Sequence, residues 1–402
     1  MTSKKLYIIN QHYYPEMAST GQVFQEIAEH FQKSGYSVTV VAGIPFYHDN
    51  HDDADYHINE LNNVRIIRLW NTKFSKSSYL GKILNLLTFQ ISLIFYMICS
   101  IGKDSIVMVG TNPPMAIICA AIGKILRGYK LIAVIQDLYP DILISSNMSD
   151  GQSITYKLLK WFMKFSFKKC DRMVTISEDM REYIERTYNL KEINVINNMV
   201  IGDAFPIDNL ALKEREGLKD KFLVMYSGNF GIAHEYKTLL GAVKLLKDEN
   251  EILFYIVGGG INYKLLKEEC EREKLINIVF KPYVDKEKLN ESLNIADVQI
   301  VIFNNSFKNV LMPSKYYGIL ATGKPVIAIA DGANDISRDV DMYNIGYNVL
   351  KEDPRQLAET ILELKNNKEK LDEFSKNVLQ LYRNKYSKKI VFNKYSNIVQ
   401  RL

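Results

Sequence analysis

Short apolar runs alternate with amphipathic stretches along the first half of the chain. Residues 6–10 form one apolar run, and 22–33 repeat apolar positions at the spacing of a helix face before Gly35. A second apolar run follows at 38–41. A strand, a helix and a strand of these lengths are typical of a parallel βαβ unit.

The same alternation recurs, and it starts again after a polar, irregular segment at 202–221. The further strands that it predicts are 105–109, 131–135, 173–176, 195–196, 223–226, 252–257, 278–280, 298–302 and 325–330. The further helices are 116–126, one beginning at Glu178, 237–247, 263–273 and 289–294. Two such series joined by a linker predict an α/β fold of two Rossmann-like, doubly wound domains that face a cleft.

The polar segment at 202–221 also gives the domain boundaries. We place the first domain at 1–203 and the second at 204–379. A C-terminal helix over 380–402 is expected to pack back on the first domain. A chain of 402 residues is long enough for two domains of ordinary size.

One apolar stretch, at 83–101, contains nineteen residues without a charge. Its length suits a helix that spans a membrane. However, Asn85, Thr88 and Ser92 recur at helical spacing, and the strand at 105–109 has to join the sheet. Both points favour a helix that lies in a membrane interface or packs into the first domain.

Charge is spread unevenly around this stretch. Between residues 61 and 169 there are fourteen basic and four acidic residues, although the net charge of the chain is only +5. A second helix, at 156–169, combines aromatic residues with basic residues on one face, namely Lys157, Lys160, Lys164 and Lys168. This composition is typical of a helix that binds anionic lipid headgroups, and an ordinary surface helix is the alternative.

The amino-acid composition limits the cellular locations and the partners that can be expected for the protein. Hydrophobic residues make up 47% and charged residues 24%, which is typical of a globular protein. The first sixteen residues do not have the pattern of a signal peptide. We therefore expect a cytoplasmic protein, peripheral on the inner face of the cell membrane. Nucleic acid is not expected as a partner, because no nucleic-acid-binding module accompanies the basic residues.

Three loops of the second half could bind phosphate. In parallel sheets, ligands bind beyond the carboxyl ends of the strands, where helix N-termini attract anions. Two of the loops are rich in glycine, and the third would begin a helix with proline at its first position. The candidate residues are Gly228, Asn229, Gly231, Gly258, Pro313, Ser314 and Lys315. The alternatives are tight turns for the first two loops and simple helix capping, with a solvated Lys315, for the third.

Nine motifs together carry a family resemblance. They are QHYYPEMASTGQ at 11–22, SGYSVTVVAGIPFY at 34–47, GTNPP at 110–114, IQDLYPD at 135–141, CDRMVTISEDM at 170–180, VINN at 195–198, YSGNFGIAHEYKTLL at 226–240, IVGGG at 256–260 and MPSKYYGILATGKPVIA at 312–328. In this order the chain resembles the retaining GT-B glycosyltransferases of family 4. It looks most similar to bacterial sugar transferases of O-antigen and capsule assembly, including fucosaminyltransferase-like members.

The resemblance implies a nucleotide diphosphate sugar as donor, with UDP the expected nucleotide. Its base and ribose would lie on the second domain near Tyr283 and the helix at Ser314, and its diphosphate near Gly231, Asn229 and Lys315. The first domain would bind a polyprenyl-diphosphate-linked saccharide as acceptor, with Asp137 and the loop 16–21, which ends at Gly21.

The chain departs from the family at one motif. Many members carry two glutamates eight positions apart, and the second binds the ribose hydroxyls. Counted back from the Gly323-Lys324-Pro325 segment, these positions are Val310 and Gly318. The residue that would bind the ribose is therefore left open.

The chemistry of transfer requires a stabilised diphosphate leaving group. Metal-dependent glycosyltransferases use an Asp-x-Asp motif, which occurs here at 53–55 and at 339–341. Both segments are polar, so we interpret them as solvated loops. We expect no metal and no other cofactor. Fixed positive charge from helix N-termini and Lys315 would stabilise the leaving group instead.

Four further residues are candidates for chemistry on the predicted active edge. Asp137 could orient or deprotonate the acceptor hydroxyl, or it could cap the next turn. His12 could contact the donor sugar or the acceptor, and His234 could contact the phosphate. Glu16 follows Pro15 in the same loop as His12. Two other functions remain open: a UDP-sugar 2-epimerase with the GT-B shape, and a non-catalytic subunit that binds a nucleotide sugar.

Overall fold

The computed structural model describes residues 4–16, 18–44, 58–74, 79–231 and 234–402. Two compact units are present. The first comprises Met1–Asn197, Asn309–Leu311 and Val391–Leu402, and the second comprises Asn198–Lys308 and Met312–Ile390. Each unit has its own sheet, and helices connect successive strands.

The first unit contains an eight-stranded sheet with strand order β3-β4-β2-β1-β5-β6-β7-β8. Its strands are β1 (Lys5–Ile9), β2 (Ser37–Gly43), β3 (Glu60–Leu61), β4 (Val64–Leu69), β5 (Ser105–Gly110), β6 (Lys130–Ile135), β7 (Arg172–Thr175) and β8 (Ile193–Val195). Its helices are α1 (Ser19–Lys33), α2 (Tyr79–Ser100), α3 (Ala116–Arg127), α4 (Ile142–Ser145), α5 (Ile154–Phe167) and α6 (Glu178–Tyr188). All neighbouring strands are parallel except β3 and β4.

The topology of this sheet explains where its ligands can bind. The chain leaves β1 for β2 on one side and later returns to β5 on the other side of β1. The carboxyl ends of β1 and β5 therefore flank a switch point, where the loops diverge and leave a crevice. Every residue of β5 is buried, and α1 buries Val23, Ile27 and Phe31.

The second unit contains a six-stranded, fully parallel sheet with strand order β11-β10-β9-β12-β13-β14. Its strands are β9 (Phe222–Asn229), β10 (Ile252–Gly259), β11 (Ile278–Lys281), β12 (Val298–Phe303), β13 (Val326–Ala330) and β14 (Gly346–Leu350). Its helices are α7 (Asn209–Arg215), α8 (Lys237–Leu245), α9 (Ile261–Arg272), α10 (Leu289–Asn294), α11 (Lys315–Thr322), α12 (Asp335–Tyr343), α13 (Pro354–Asn366) and α14 (Lys368–Leu381). The switch point lies between β9 and β12. The fold class predicted from the sequence is confirmed.

Three predictions of secondary structure are wrong. The irregular linker at 202–221 contains α7, whose Leu212 packs into the second unit. The single helix expected over 380–402 is interrupted, because α14 passes into a wider turn at Tyr382–Tyr386 before the last helix, α15 (Lys388–Gln400), begins. The glycine-rich residues up to Asn229, predicted to be a loop, extend β9.

A buried carboxylate, Asp141, ties the loop after β6 to two helices. Its oxygens accept hydrogen bonds from Tyr183 at 2.7 Å, Tyr156 at 3.2 Å and Tyr188, and Lys160 lies 2.7 Å away. Of the four lysines predicted to share one face of the helix at 156–169, Lys160 thus forms an ion pair within the unit. A buried carboxylate satisfies its hydrogen-bonding capacity within the protein, and here the lysine of α5 takes part.

We expect the Asp141→Ala variant to lose about 2–4 kcal/mol of unfolding free energy, because the partly buried ammonium of Lys160 and the tyrosine hydroxyls lose their buried acceptor. Urea denaturation, followed by tryptophan fluorescence, measures the change. The matched control is Glu182→Ala, which removes an exposed carboxylate from α6. Equal unfolding midpoints for the two variants would show that this cluster contributes nothing to stability.

Candidate functional site

In the second unit, strands β9 and β10 remain paired up to their carboxyl ends. Gly228 pairs with Gly258 in the parallel register, and both have positive φ, +124° and +134°. A Cβ atom on Gly258 would lie 2.2 Å from the Gly228 carbonyl oxygen. Gly258 is therefore required for the approach of the two strands, and Gly228 is required by its own positive φ. The prediction that these residues lie in loops is wrong, because both belong to paired strands. Their contact with phosphate stays a prediction.

Lys315 extends from the first residue of α11 toward this strand end. Its Nζ donates a hydrogen bond to the Tyr226 hydroxyl, lies 3.7 Å from the centre of the Tyr226 ring and is 3.5 Å from the Asn229 carbonyl oxygen. These three partners are uncharged. Burial lowers the pKa of the Lys315 ammonium well below its usual value. The alternative of a solvated Lys315 is wrong, and a partly desolvated cation at a helix N-terminus suits an anionic ligand.

His234 lies on the same edge. Its Nδ1 is 2.6 Å from the Ile302 carbonyl oxygen, which can only accept, so the proton resides on Nδ1. Burial and the nearby Lys315 lower the pKa of His234 to about 3, so the ring is neutral at pH 7. Its Nε2 then presents a lone pair, which suits a hydroxyl group of a ligand. Contact with phosphate would first require protonation of the ring.

The remaining candidates of this unit surround the same strand ends. The Asn229 side chain lies between Gly231 and Gly260, where added Cβ atoms would be 3.2 Å from Asn229 Nδ2 and 2.6 Å from Asn229 Oδ1. Tyr283 is 61% exposed and lies against Gly259. An exposed ring at a sheet edge offers a flat apolar surface to a base or sugar.

The start of α11 differs from the prediction. The helix begins at Lys315 with Ser314 as its N-cap residue, so Pro313 precedes the helix and does not occupy its first position. The Ser314 side chain makes no capping hydrogen bond, and the residue is exposed. The capping alternative for this serine is therefore wrong. The hydroxyl and the first backbone N–H groups of α11 lie at one end of the helix, beside Lys315.

The two positions where related enzymes carry glutamates are apolar and buried here. Gly318 lies within α11, and a Cβ atom there would meet Leu293 at 3.1 Å. Val310 is 2% exposed, and its backbone carbonyl accepts a hydrogen bond of 2.8 Å from Leu138 N. Neither position supplies an acidic ligand for a ribose.

In the first unit, Asp137 follows β6 at the carboxyl edge of the sheet. Its backbone N–H and that of Gln136 donate to Thr111 Oγ1, at 3.1 and 3.2 Å. Burial raises the pKa of the Asp137 carboxyl to about 6. A carboxyl group with a raised pKa can accept a proton near neutral pH, which a general base requires.

His12 and Glu16 form a pair in the loop after β1. His12 Nδ1 lies 2.5 Å from Glu16 Oε2, and Glu16 is 4% exposed. Gly21, in the first turn of α1, faces this loop, since a Cβ atom there would be 2.9 Å from the His12 carbonyl oxygen. Gly21 thus allows α1 to pack directly on the loop. The buried carboxylate orients the imidazole through this contact.

Two residues at these edges were not predicted. Arg68, at the end of β4, donates to the Tyr14 carbonyl and, at 3.3 Å, to the Gly43 carbonyl, and the charge of Glu16 opposes the lowering of its pKa by burial. Tyr226 bridges Lys315 and the Asn229 carbonyl. Arg68 was missed because β4 was not identified. Tyr226 was missed because its motif reads as a buried strand.

The two Asp-x-Asp segments have different outcomes. The one at 53–55 lies outside the described residues. At 339–341 the expectation of a solvated loop is wrong: Asp339 is buried in α12 and accepts hydrogen bonds from Tyr316 and Tyr386, with Lys385 at 2.7 Å. Across the part of the chain that the structure describes, no group of three or more His, Cys, Asp or Glu side chains could hold a metal ion.

Two family models match consecutive parts of this chain. Residues 20–201 match Glycosyltransferase Family 4, and 208–380 match Glycosyl transferases group 1. Two α/β units with parallel sheets of this topology, matched by these two models, define the GT-B class of glycosyltransferases. The chain is therefore a glycosyltransferase of the group 1 type. The predicted enzyme class is confirmed.

Curated relatives and solved structures agree with this class. "Probable glycosyltransferase WbjE" of Pseudomonas aeruginosa is 26% identical over 65% of this chain and 66% of that protein. "Putative colanic acid biosynthesis glycosyl transferase WcaI" of Escherichia coli K12 is 23% identical over 83% of this chain and 85% of that protein. Anabaena HepE, solved in complex with UDP and glucose, has a TM-score of 0.72 at 14% identity and covers 99% of this chain and 100% of its own.

Proposed function

We propose that this glycosyltransferase transfers a sugar from a UDP-linked donor to a lipid-linked saccharide during assembly of a bacterial surface polysaccharide. The observation that carries the proposal is the partly desolvated ammonium of Lys315, held at the N-terminus of α11 beside the glycine-rich ends of β9 and β10. A diphosphate is the ligand that suits such a cation. The binding of UDP by HepE supports the choice of nucleotide.

The leaving group is stabilised by this fixed positive charge, without a metal ion. As the bond from the sugar to the diphosphate breaks, negative charge develops on the phosphate oxygens. Lys315 and the first N–H groups of α11 stabilise that charge, and because both are held in place, no reorganisation is needed during the reaction. The base and ribose lie near Tyr283 and the start of α11.

The acceptor hydroxyl is oriented by the first unit. Asp137 accepts a hydrogen bond or the proton from this hydroxyl, for which its raised pKa is suitable. The His12–Glu16 pair contacts the donor sugar or the acceptor. The donor sugar is a hexose or an N-acetylated amino sugar, as in fucosaminyltransferase-like enzymes, and transfer retains its anomeric configuration. Both of these points rest on the family resemblance.

The acceptor is carried by a polyprenyl diphosphate at the inner face of the cell membrane. The name of WcaI, which refers to colanic acid biosynthesis, supports a role in a surface polysaccharide. The excess of basic residues between positions 61 and 169 supports an anionic membrane surface as a partner. The enzyme is thus expected on the cytoplasmic side.

Thermal unfolding with UDP, GDP, CDP and TDP, each in EDTA and in magnesium, tests this function. A nucleotide at about one hundred times its Kd stabilises the folded state by roughly 2.7 kcal/mol. We expect UDP to raise the Tm in EDTA as much as in magnesium. Stabilisation that requires magnesium would overturn metal independence, and no shift with any nucleotide would overturn the donor assignment. Turnover with a lipid-linked saccharide then separates the transferase from a binding subunit.

A further inference from the structure

Three helices of the first unit form one layer with an unusual outer surface. The connections from β4 to β5, β5 to β6 and β6 to β7 all advance in the same direction across the sheet, so α2, α3 and α5 lie on one face of it. Helix α3 packs against both α2 and α5. We refer to the exposed side of α2, α3 and α5 as the outer helical face.

Helix α2 presents an apolar stripe on the outer helical face. Its inner side buries Phe89, Leu93 and Met97 completely. Its opposite side exposes large apolar residues at helical spacing, including Ile91 at 56% and Phe95 at 65%. The window Ile83–Ser100 has a mean hydropathy of 1.8, yet only 28% of it is buried. An apolar surface of this length on a soluble domain marks an interaction site.

The polar side chains of α2 do not reduce this stripe, because they are turned inward. The Asn85 amide accepts from the Phe74 N–H and donates to the Phe74 carbonyl, both at 2.9 Å. Ser92 Oγ donates to the Trp70 carbonyl at 2.7 Å. The polar side chains of α2 thus form hydrogen bonds to the segment that precedes the helix. The residues on the outward side of the helix are therefore apolar.

The neighbouring helices extend the apolar surface. Near the end of α3, Ile125 and Leu126 are 54% and 60% exposed. On α5, Leu158 and Trp161 are 53% and 60% exposed. Each of the three helices therefore contributes exposed apolar residues to the outer helical face.

Charge decides which partner this surface fits. The sequences of α2, α3 and α5 contain no Asp or Glu. Basic residues lie where the ends of these helices meet: Arg127 Nε donates to the Ile101 carbonyl at 3.1 Å, and Lys103 lies against Gly128. Lys157 of α5 and Lys168 directly after it are exposed. Apolar surface that is accompanied by basic residues, with no acid on its own helices, matches an anionic bilayer, whose headgroups attract cations above a hydrocarbon interior. A second copy of this chain would bring its own basic residues against these and be repelled.

We propose that the outer helical face docks in the plane of an anionic phospholipid bilayer, with the α2 stripe inserted below the headgroups. Both ends of α2 are held to the domain, by Asn85 at one end and by the contact of Arg127 with Ile101 at the other. The helix therefore lies along the bilayer and does not cross it. This inference rests on the proposed function for its purpose, because docking brings the enzyme to its lipid-linked acceptor.

The two tryptophans of the chain, Trp70 and Trp161, report on docking directly. They are 62% and 60% exposed, and both belong to this side of the unit. The variants Trp161→Phe and Trp70→Phe each leave one reporter. With vesicles of phosphatidylglycerol and phosphatidylcholine that carry brominated acyl chains, we expect quenching of both reporters. Absence of quenching in either variant would overturn docking through the whole face.

Vesicle flotation of charged variants completes the test. Ile91→Asp combined with Phe95→Asp should lower partitioning into anionic vesicles by about 100-fold or more, because two apolar anchors are lost and negative charge is added. The matched control combines Leu245→Asp and Ile276→Asp, which change two exposed residues of the second unit. Undiminished flotation of the first variant would overturn the proposal. So would a concentration-dependent dimer of the wild-type protein, in light scattering without lipid, that the first variant abolishes.

The same samples separate this inference from the proposed function. The Tm shift with UDP should be unchanged in both pairs of variants, since none of these residues lies at the nucleotide edge. If the wild-type protein binds vesicles but transfers sugar to no lipid-linked acceptor, the proposed function fails and docking stands. If UDP binding and turnover persist while the wild-type protein ignores vesicles, docking fails and the proposed function stands.

Discussion

The Asp137→Asn variant is expected to transfer sugar about 10²- to 10⁴-fold more slowly than the wild-type enzyme, which is the usual contribution of a positioned general base. Asparagine has nearly the same shape, so the contacts of the backbone with Thr111 should be preserved. It cannot accept a proton, however. The measurement is kcat and KM with donor and acceptor at constant pH.

The pH dependence of the wild-type enzyme provides an independent readout. Burial raises the pKa of Asp137 to about 6, and the base acts in its ionised form. The rate should therefore increase as the pH rises through about 6 and reach a plateau above it. The residual rate of the variant should lack this step. A structural role alone would leave the step in place.

Two controls define what would contradict this assignment. Asp150→Asn changes an exposed carboxylate of the same unit and should leave the rate within twofold. The Tm shift of Asp137→Asn with UDP should equal that of the wild-type protein, because the nucleotide-binding residues belong to the other unit. Full activity in Asp137→Asn would remove the carboxyl from the mechanism, and the alternative role of capping the next turn would replace it.

The sequence predicts the α/β architecture well, because the spacing of hydrophobic residues along the chain indicates which segments form strands and which form helices. The helix predicted at 289–294 matches α10, and the helix at 116–126 falls one residue short of α3. Strand β4 was missed, because its two arginines interrupt the apolar run. One of them, Arg68, is half-buried and contacts the loop of the His12–Glu16 pair. A charged side chain that contacts the site thus interrupts the apolar pattern from which its strand could have been predicted.

Glycine-rich segments show a different limit of the sequence. A glycine that admits a phosphate and a glycine that admits a neighbouring strand have the same local signature. The register of β9 and β10 distinguishes them, since Gly258 contacts the Gly228 carbonyl. Such long-range pairing cannot be read from one segment. The position of Lys315 at the start of a helix was still predicted from the sequence, because helix starts have local signals.

Buried clusters of polar side chains could also not be predicted from the sequence. The segment at 339–341 is polar and looked solvated, yet Asp339 is 3% exposed beneath two tyrosines. Its partners lie 23 and 47 positions away along the chain. The basic face of the helix at 156–169 gave the same difficulty at Lys160. In both cases a distant partner decides whether a charge faces water, and periodicity contains no information about that partner.

The Lys315→Met variant is expected to bind UDP about 10- to 100-fold more weakly, because a hydrogen bond with a charged group contributes roughly 1.5–3 kcal/mol. Its kcat/KM for transfer should fall further, by about 10²- to 10³-fold, since the same charge stabilises the leaving diphosphate more than the bound donor. Titration calorimetry measures the first effect and steady-state kinetics the second. Methionine preserves the length of the side chain, so the unfolding midpoint should change little.

Lys324→Met is the matched control for this variant. Lys324 follows the other end of α11 and is also half-buried, and burial lowers its pKa to about 8. It precedes β13, so it lies at the opposite edge of the sheet from the strand ends that surround Lys315. Unchanged UDP affinity in Lys324→Met, with a loss in Lys315→Met, assigns the effect to position and not to the removal of a buried lysine. Equal affinities in the two variants would show that the diphosphate lies elsewhere.

The pH dependence of UDP binding also tests the assignment of Lys315, because the charge of Lys315 depends on its protonation. Because burial lowers the pKa of Lys315 in the empty site, part of the population becomes neutral as the pH rises. A bound diphosphate favours the charged form, so binding takes up protons and UDP affinity should decrease as the pH rises above neutrality toward the usual lysine pKa. In that range the terminal phosphate, with a second pKa of about 6, is already ionised and adds no slope. His234, with a pKa of about 3, also stays neutral there. The decrease should therefore be absent from Lys315→Met and retained by Lys324→Met.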